Sequence, residues 1–130
     1  MENKIKKIYL VIAIITTVCG FIFKLGYRSY IYKNNINDFG IADSAPNFFY
    51  TVGIIFFMLY IQKKIEMKAT RNIILATTAG VLTYELEQNF TSMIFDVKDI
   101  IATIIGTIIC YLICRYLNER YNLSTAKEVS

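Results

Sequence analysis

The strongest constraint on this chain is a set of four apolar runs, at about 8–27, 46–62, 72–88 and 99–117, that are almost free of charge. The first contains one charged side chain, Lys24, and the second contains none. Each run approaches the ~20 residues that a helix needs to cross the hydrocarbon core of a bilayer. A soluble bundle would instead return charge to one face of every helix. Here charge gathers between the runs. With 55% hydrophobic residues against 18% charged, the composition agrees. The pattern predicts an all-α polytopic membrane protein, a four-transmembrane-helix bundle in a single domain covering residues 1–130.

The third run is the most dilute, because Thr77, Thr78, Gly80, Thr83 and Glu85 interrupt it. Ala76 and Gly80 have the small-x-x-x-small spacing that lets helices approach closely in lipid. This run is therefore expected to be an inner helix, shielded by the other three. Ser44 before Ala45-Pro46 has the grammar of an N-cap, with proline in the first turn. Asp43 beside it would favour the positive end of that helix. Residues 28–45 are then the first loop, with Tyr27, Tyr30 and Tyr32 at the interface.

Basic residues set the orientation. Lys4, Lys6 and Lys7 precede the first run, Lys63, Lys64, Lys68 and Arg71 join the second to the third, and Arg115, Arg120 and Lys127 end the chain. Four crossings put these ten of the fourteen bases on one side, and the positive-inside rule makes that side, with both termini, cytoplasmic. Three crossings would leave one basic tail outside. The first run resembles a signal peptide in layout but has no small-x-small cleavage site, so it is read as a retained helix.

Composition also excludes chemistry. With no histidine, a Ser-His-Asp or Cys-His mechanism is impossible and the commonest metal ligand is missing. Cys19, Cys110 and Cys114 all lie in apolar runs and read as small core residues. No phosphate-cradling glycine loop occurs, and the bases are too dispersed for nucleic acid. No cofactor and no metal site is expected.

What remains is a polar cluster where the third and fourth runs meet. Glu85, Gln88 and Asn89 are spaced i, i+3, i+4 and share one helical face. Asp99, Thr103, Gly106 and Cys110 form a second face, and the two are expected to oppose one another with Gly106 allowing close approach. Asp96 lies in the short loop between, and Glu87 points away. Glu85 is expected near the outer interface, where an acid is costly unless it is paired or faces a polar cavity; Lys24, Arg28 and Lys98 are candidate partners.

Glu85-x-x-Gln88, followed by Phe95-Asp96-x-x-Asp99 and then Thr103 and Gly106, resembles the signature of the VanZ-like family over about residues 80–115. Those are small polytopic proteins of bacterial envelopes, some associated with resistance to glycopeptide antibiotics such as teicoplanin. The chain departs from the family pattern at Thr103, where asparagine is preferred, at Cys110, where glycine is common, and before Phe95, where an arginine usually stands. The resemblance implies a bacterial cytoplasmic membrane and a role in the cell envelope, linked in some members to antibiotic or envelope-stress resistance.

Three functions fit the cluster. Glu85, Gln88, Asp96, Asp99 and Thr103 could bind a lipid headgroup or another envelope component, a glycopeptide-type ligand among them. They could form an enzyme site for a lipid-linked substrate, with Glu85 as general base and Asp99 as the other catalytic candidate. Or they could clamp two helices together in a structural subunit of a partner complex.

Overall fold

A computed structural model describes residues 2–88, 90–91 and 96–129, with side chains described as far as residue 122. The described residues form helices α1 (Glu2–Ile22), α2 (Arg28–Lys33), α3 (Ile41–Ile61), α4 (Met67–Gln88) and α5 (Val97–Val129), without a strand among them. A single π-helical turn, Phe23–Tyr27, joins α1 to α2. The two therefore make one continuous 32-residue helix, Glu2–Lys33.

Three of these helices, Glu2–Lys33, Ile41–Ile61 and the Val97–Asn122 part of α5, are long and apolar enough to cross a membrane. Their outward faces carry Val11, Ile14, Ile15, Val18, Phe57, Ile61, Ile104, Ile105, Ile108 and Leu112, all exposed. An apolar surface of that extent has no counterpart on a water-soluble monomer. Threonine hydroxyls, by contrast, lie inside: Thr51, Thr70, Thr78 and Thr103 are buried. Several are satisfied by their own helix, Thr51 Oγ1 donating to Asn47 O at 2.7 Å and Thr107 Oγ1 to Thr103 O at 2.9 Å. Others bridge helices, as Thr78 does with Thr107 across 2.9 Å.

At the centre is α3, packed against α1, α4 and α5. It buries Thr51, Val52, Gly53, Ile55, Phe56 and Leu59, whereas α4 buries only Thr70, Ile74, Thr78 and Glu85. Close approach depends on glycines of α1, α3 and α5. A Cβ at Gly53 would lie 2.7 Å from Thr17 Oγ1, one at Gly20 would lie 2.7 Å from the Tyr50 ring, and one at Gly106 would lie 3.3 Å from Val52. In lipid, where apolar contact alone gives little advantage, such packing holds helices together. The core is completed by Tyr9 against Phe56, with ring centroids 5.5 Å apart, and by fully buried Cys110 and Cys114. At the Lys63 end, Lys6 Nζ donates to Lys63 O at 3.3 Å and Ile65 N to Glu2 Oε1 at 3.4 Å, tying the start of the chain to the α3–α4 link.

Several expectations are corrected. The third apolar run is peripheral, not inner: Ala76 and Gly80 are exposed, and nothing lies within 4 Å of a Cβ built at Gly80. The central position goes to α3 because its own glycine and threonine positions fit α1 and α5. Gly106 faces Phe48 and Val52 of α3, not α4. Residues 28–33 are helical, so the first loop shrinks to 34–40. Ser44 does not cap a helix, since α3 begins earlier, at Ile41. There Gly40, at φ 83°, reverses the chain and Asp38 accepts from Gly40 N at 3.2 Å and Ala42 N at 2.6 Å. That carboxylate satisfies amides which a later start would have left to Ser44. Met67 begins α4 and Val97 begins α5, so both run beyond their apolar stretches.

Candidate functional site

One end of the bundle gathers the last turns of the first helix, the start of α3, the end of α4 and the start of α5. Along Glu2–Lys33, Lys24, Arg28 and Tyr32 are four residues apart and all line the same pocket. Lys24 lies within the π turn and Arg28 directly follows it, the Arg28 amide being bonded five residues back to Phe23 O. Such a turn widens the helix locally and resets the direction of the turns after it. Arg28 Nε is 3.2 Å from Asp43 Oδ1, and the Arg28 guanidinium lies 5.3 Å above the Tyr32 ring. Tyr32 in turn donates its hydroxyl to Asp43. Asp43 is thus held by α2, which fixes the first helix against α3.

One turn further along α3, Asn47 Nδ2 donates to Glu85 Oε1 at 3.2 Å. Glu85 is only 5% exposed, the most enclosed acid among the described residues. The same Asn47 amide faces Asp99 at the start of α5, whose Oδ1 is buried without a hydrogen-bond partner. Glu85 and Asp99 line the same cavity. Asp96 caps α5, accepting from Lys98 N at 2.9 Å. Across Gly40, the Lys98 side chain occupies the space a Cβ would need.

These groups enclose a cavity of about 570 Å³ lined by Lys24, Arg28, Tyr32, Asp43, Asn47, Tyr84, Glu85, Gln88, Asp96 and Asp99, with Pro46 and Tyr50. Its walls differ in sign. The first helix contributes Lys24 and Arg28, and α4 and α5 contribute Glu85 and Asp99. Lys24 makes no ion pair among the described residues, while Arg28 is committed to Asp43. Two carboxylates brought together out of water are stabilised by a cation placed between them. No group of three or more acids and cysteines converges as metal ligands among the described residues.

Of the residues singled out in the sequence, Glu85, Gln88, Asp96 and Asp99 line this cavity together. Thr103 does not: it is fully buried and accepts from Thr51 Oγ1 at 3.5 Å, a turn deeper in the α3–α5 seam. Asn89 and Phe95 lie outside the described residues. Neither Arg28 nor Lys98 pairs with Glu85; its partner is the Asn47 amide. Sequence reasoning missed Asn47, Tyr32, Asp43, Tyr50 and Tyr84 as lining residues. The signal for Asn47 was present, an amide at the start of an uncharged apolar run, one turn after Asp43. No family model, no curated protein and no solved structure matches this chain.

Proposed function

We propose that this chain is a VanZ-like protein of the bacterial cytoplasmic membrane, with four crossings and both termini cytoplasmic, that binds a lipid headgroup at its outer face. The observation that carries this reading is Glu85, a nearly enclosed carboxylate with one amide donor, opening beside Asp99 into a cavity whose far wall is cationic. An intramembrane acid of this kind is expensive unless something completes it. Binding is favoured over catalysis because the lining offers no serine, cysteine or histidine, and Asp43 and Asp96 are engaged in structural contacts. A pure clamp is disfavoured by the cavity itself, since a clamp would close Glu85 and Asp99 on partners rather than leave volume between them. The family resemblance supports an envelope role and points to glycopeptide susceptibility as a phenotype.

The test compares cells lacking the protein with cells expressing it or its Glu85→Gln variant, by lipid analysis and glycopeptide susceptibility. The expected result is a change on removal that the wild type restores and Glu85→Gln does not, although both accumulate equally in the membrane. Full restoration by Glu85→Gln would sink the reading.

A further inference from the structure

We infer that the ligand is a membrane lipid whose headgroup carries both a phosphate and a primary ammonium, and whose hydrocarbon chain lies in a slot between α3 and α4. This rests on the headgroup reading above and specifies the class of ligand. The slot is a second cavity, of about 590 Å³, whose walls are mostly apolar: Ile54 and Met58 from α3, Ala76, Gly80 and Val81 from α4. It shares Asn47, Tyr50, Tyr84 and Glu85 with the polar cavity, so the two adjoin at the buried carboxylate.

The slot exists because α4 presents small residues where a packed helix would present large ones. Gly80 and Ala76 are one turn apart and exposed, and a Cβ at Gly80 would touch nothing within 4 Å. They do not serve helix packing, which falls to Gly20, Gly53 and Gly106. From Glu85 to Ala76 is nine residues of α4, about 14 Å at ~1.5 Å per residue. A slot of that depth, apolar along its length and polar at its mouth, has the distribution of an amphiphile.

The mouth specifies the headgroup. Lys24, which makes no ion pair among the described residues, offers a phosphate its charge from one wall, with the Asp43-paired Arg28 beside it. Ionised, Glu85 and Asp99 are acceptors only, and a primary ammonium offers three donors to them. A quaternary ammonium has none to offer, and a headgroup with phosphate alone would set its charge against the acidic wall.

The test uses the full-length protein purified in detergent, titrated with phosphatidylethanolamine, phosphatidylcholine or phosphatidylglycerol while thermal unfolding is followed. Two readouts separate the parts of the ligand: absolute affinity and preference among headgroups. Wild type should bind phosphatidylethanolamine at least about tenfold more tightly than the other two. Gly80→Leu fills the slot and should weaken all three lipids about tenfold while keeping that preference. Ala76→Leu blocks the same slot and replaces it as the test should Gly80→Leu fail to fold. Glu85→Gln should abolish the preference while chain-dependent binding persists. If the slot-filling variants bind like wild type, the chain lies elsewhere and the slot assignment falls while the headgroup reading stands. If phosphatidylcholine or phosphatidylglycerol binds as tightly as phosphatidylethanolamine, the phospho-ammonium assignment falls. If Glu85→Gln keeps both affinity and preference, the headgroup reading falls with it.

Discussion

Glu85 is held by a contact that neither residue's neighbours in sequence reveal. Its partner Asn47 is 38 positions away, and the bond is part-buried. Removing a donor from a buried carboxylate costs about 1–3 kcal/mol or more, because the acceptor keeps its desolvation without its compensation. Asn47→Ala should therefore lower thermal stability by that amount. In a Glu85→Gln background the same change should cost clearly less, since the charge that needed the amide is gone. A double-mutant cycle by thermal unfolding checks this, and additivity within about 0.5 kcal/mol would show that the contact carries no energy. The acidic half of the site was legible because acids and amides are rare in apolar runs: Glu85, Gln88, Asp96 and Asp99 stand out at once. Lys24 and Arg28 were legible only as candidate ion-pair partners of Glu85, and Asn47 was not assigned, because nothing local says which face of which helix will meet Glu85. Thr103 was misread for the same reason, its polarity being consumed by Thr51 in a helix seam.

Among elements, the glycines divide into those that make seams and those that make space. Gly53 lies where α1 and α3 cross, and a Cβ there would come 2.7 Å from Thr17 Oγ1 and 3.5 Å from Ala13 O. Gly53→Ala should destabilise the protein, with Thr17→Ala relieving part of the loss. Gly80→Ala meets nothing and should be neutral or stabilising by up to about 1 kcal/mol, from helix propensity alone. Melting temperatures of the two variants, measured side by side, check the contrast; equal losses would mean that Gly80 is packed after all. The loop before α3 gives a third case. Gly40 has φ 83°, a conformation that costs an L-residue about 1–2 kcal/mol, and Lys98 covers it. Gly40→Ala should therefore lower stability, and Lys98→Ala in that background should return the steric part but not the backbone part. Unfolding of the single and double variants separates the two. Element existence was legible from apolar length. Boundaries were not, because the helices run past their apolar stretches: α2 continues through Tyr30–Lys33 and α3 starts where Asp38 can cap it. The prominence of the Ala76–Gly80 spacing suggested packing, but such a spacing permits close approach without requiring it.

For the whole molecule, the proposed fourth crossing follows from where the pocket draws its residues. Lys24 and Arg28 come late in the first helix, Asp43 and Asn47 early in α3, Glu85 late in α4 and Asp99 early in α5, yet all line one cavity. Successive helices must then run in opposite directions past the same end. Were α4 to lie on the membrane surface, the end of α3 and the beginning of α5 would share a side. Asp99 would then sit with Lys63 instead of with Asn47. The α4 helix has 22 residues, about 33 Å at ~1.5 Å per residue, enough for a core of ~30 Å. Composition makes it the least apolar of the four, but two of its threonine hydroxyls are satisfied within the protein. Thr78 pairs with Thr107, and Thr83 Oγ1 donates to Ala79 O at 2.7 Å. Four crossings also keep the Lys63–Arg71 cluster and the basic carboxyl-terminal stretch together, as the positive-inside rule requires. Reporters active only outside the cytoplasmic membrane, inserted in the 34–40 loop, in the 62–66 link and after Ser130, should therefore be active at the first site alone. Activity after Ser130 would remove the fourth crossing, and with it the outward placement of the pocket.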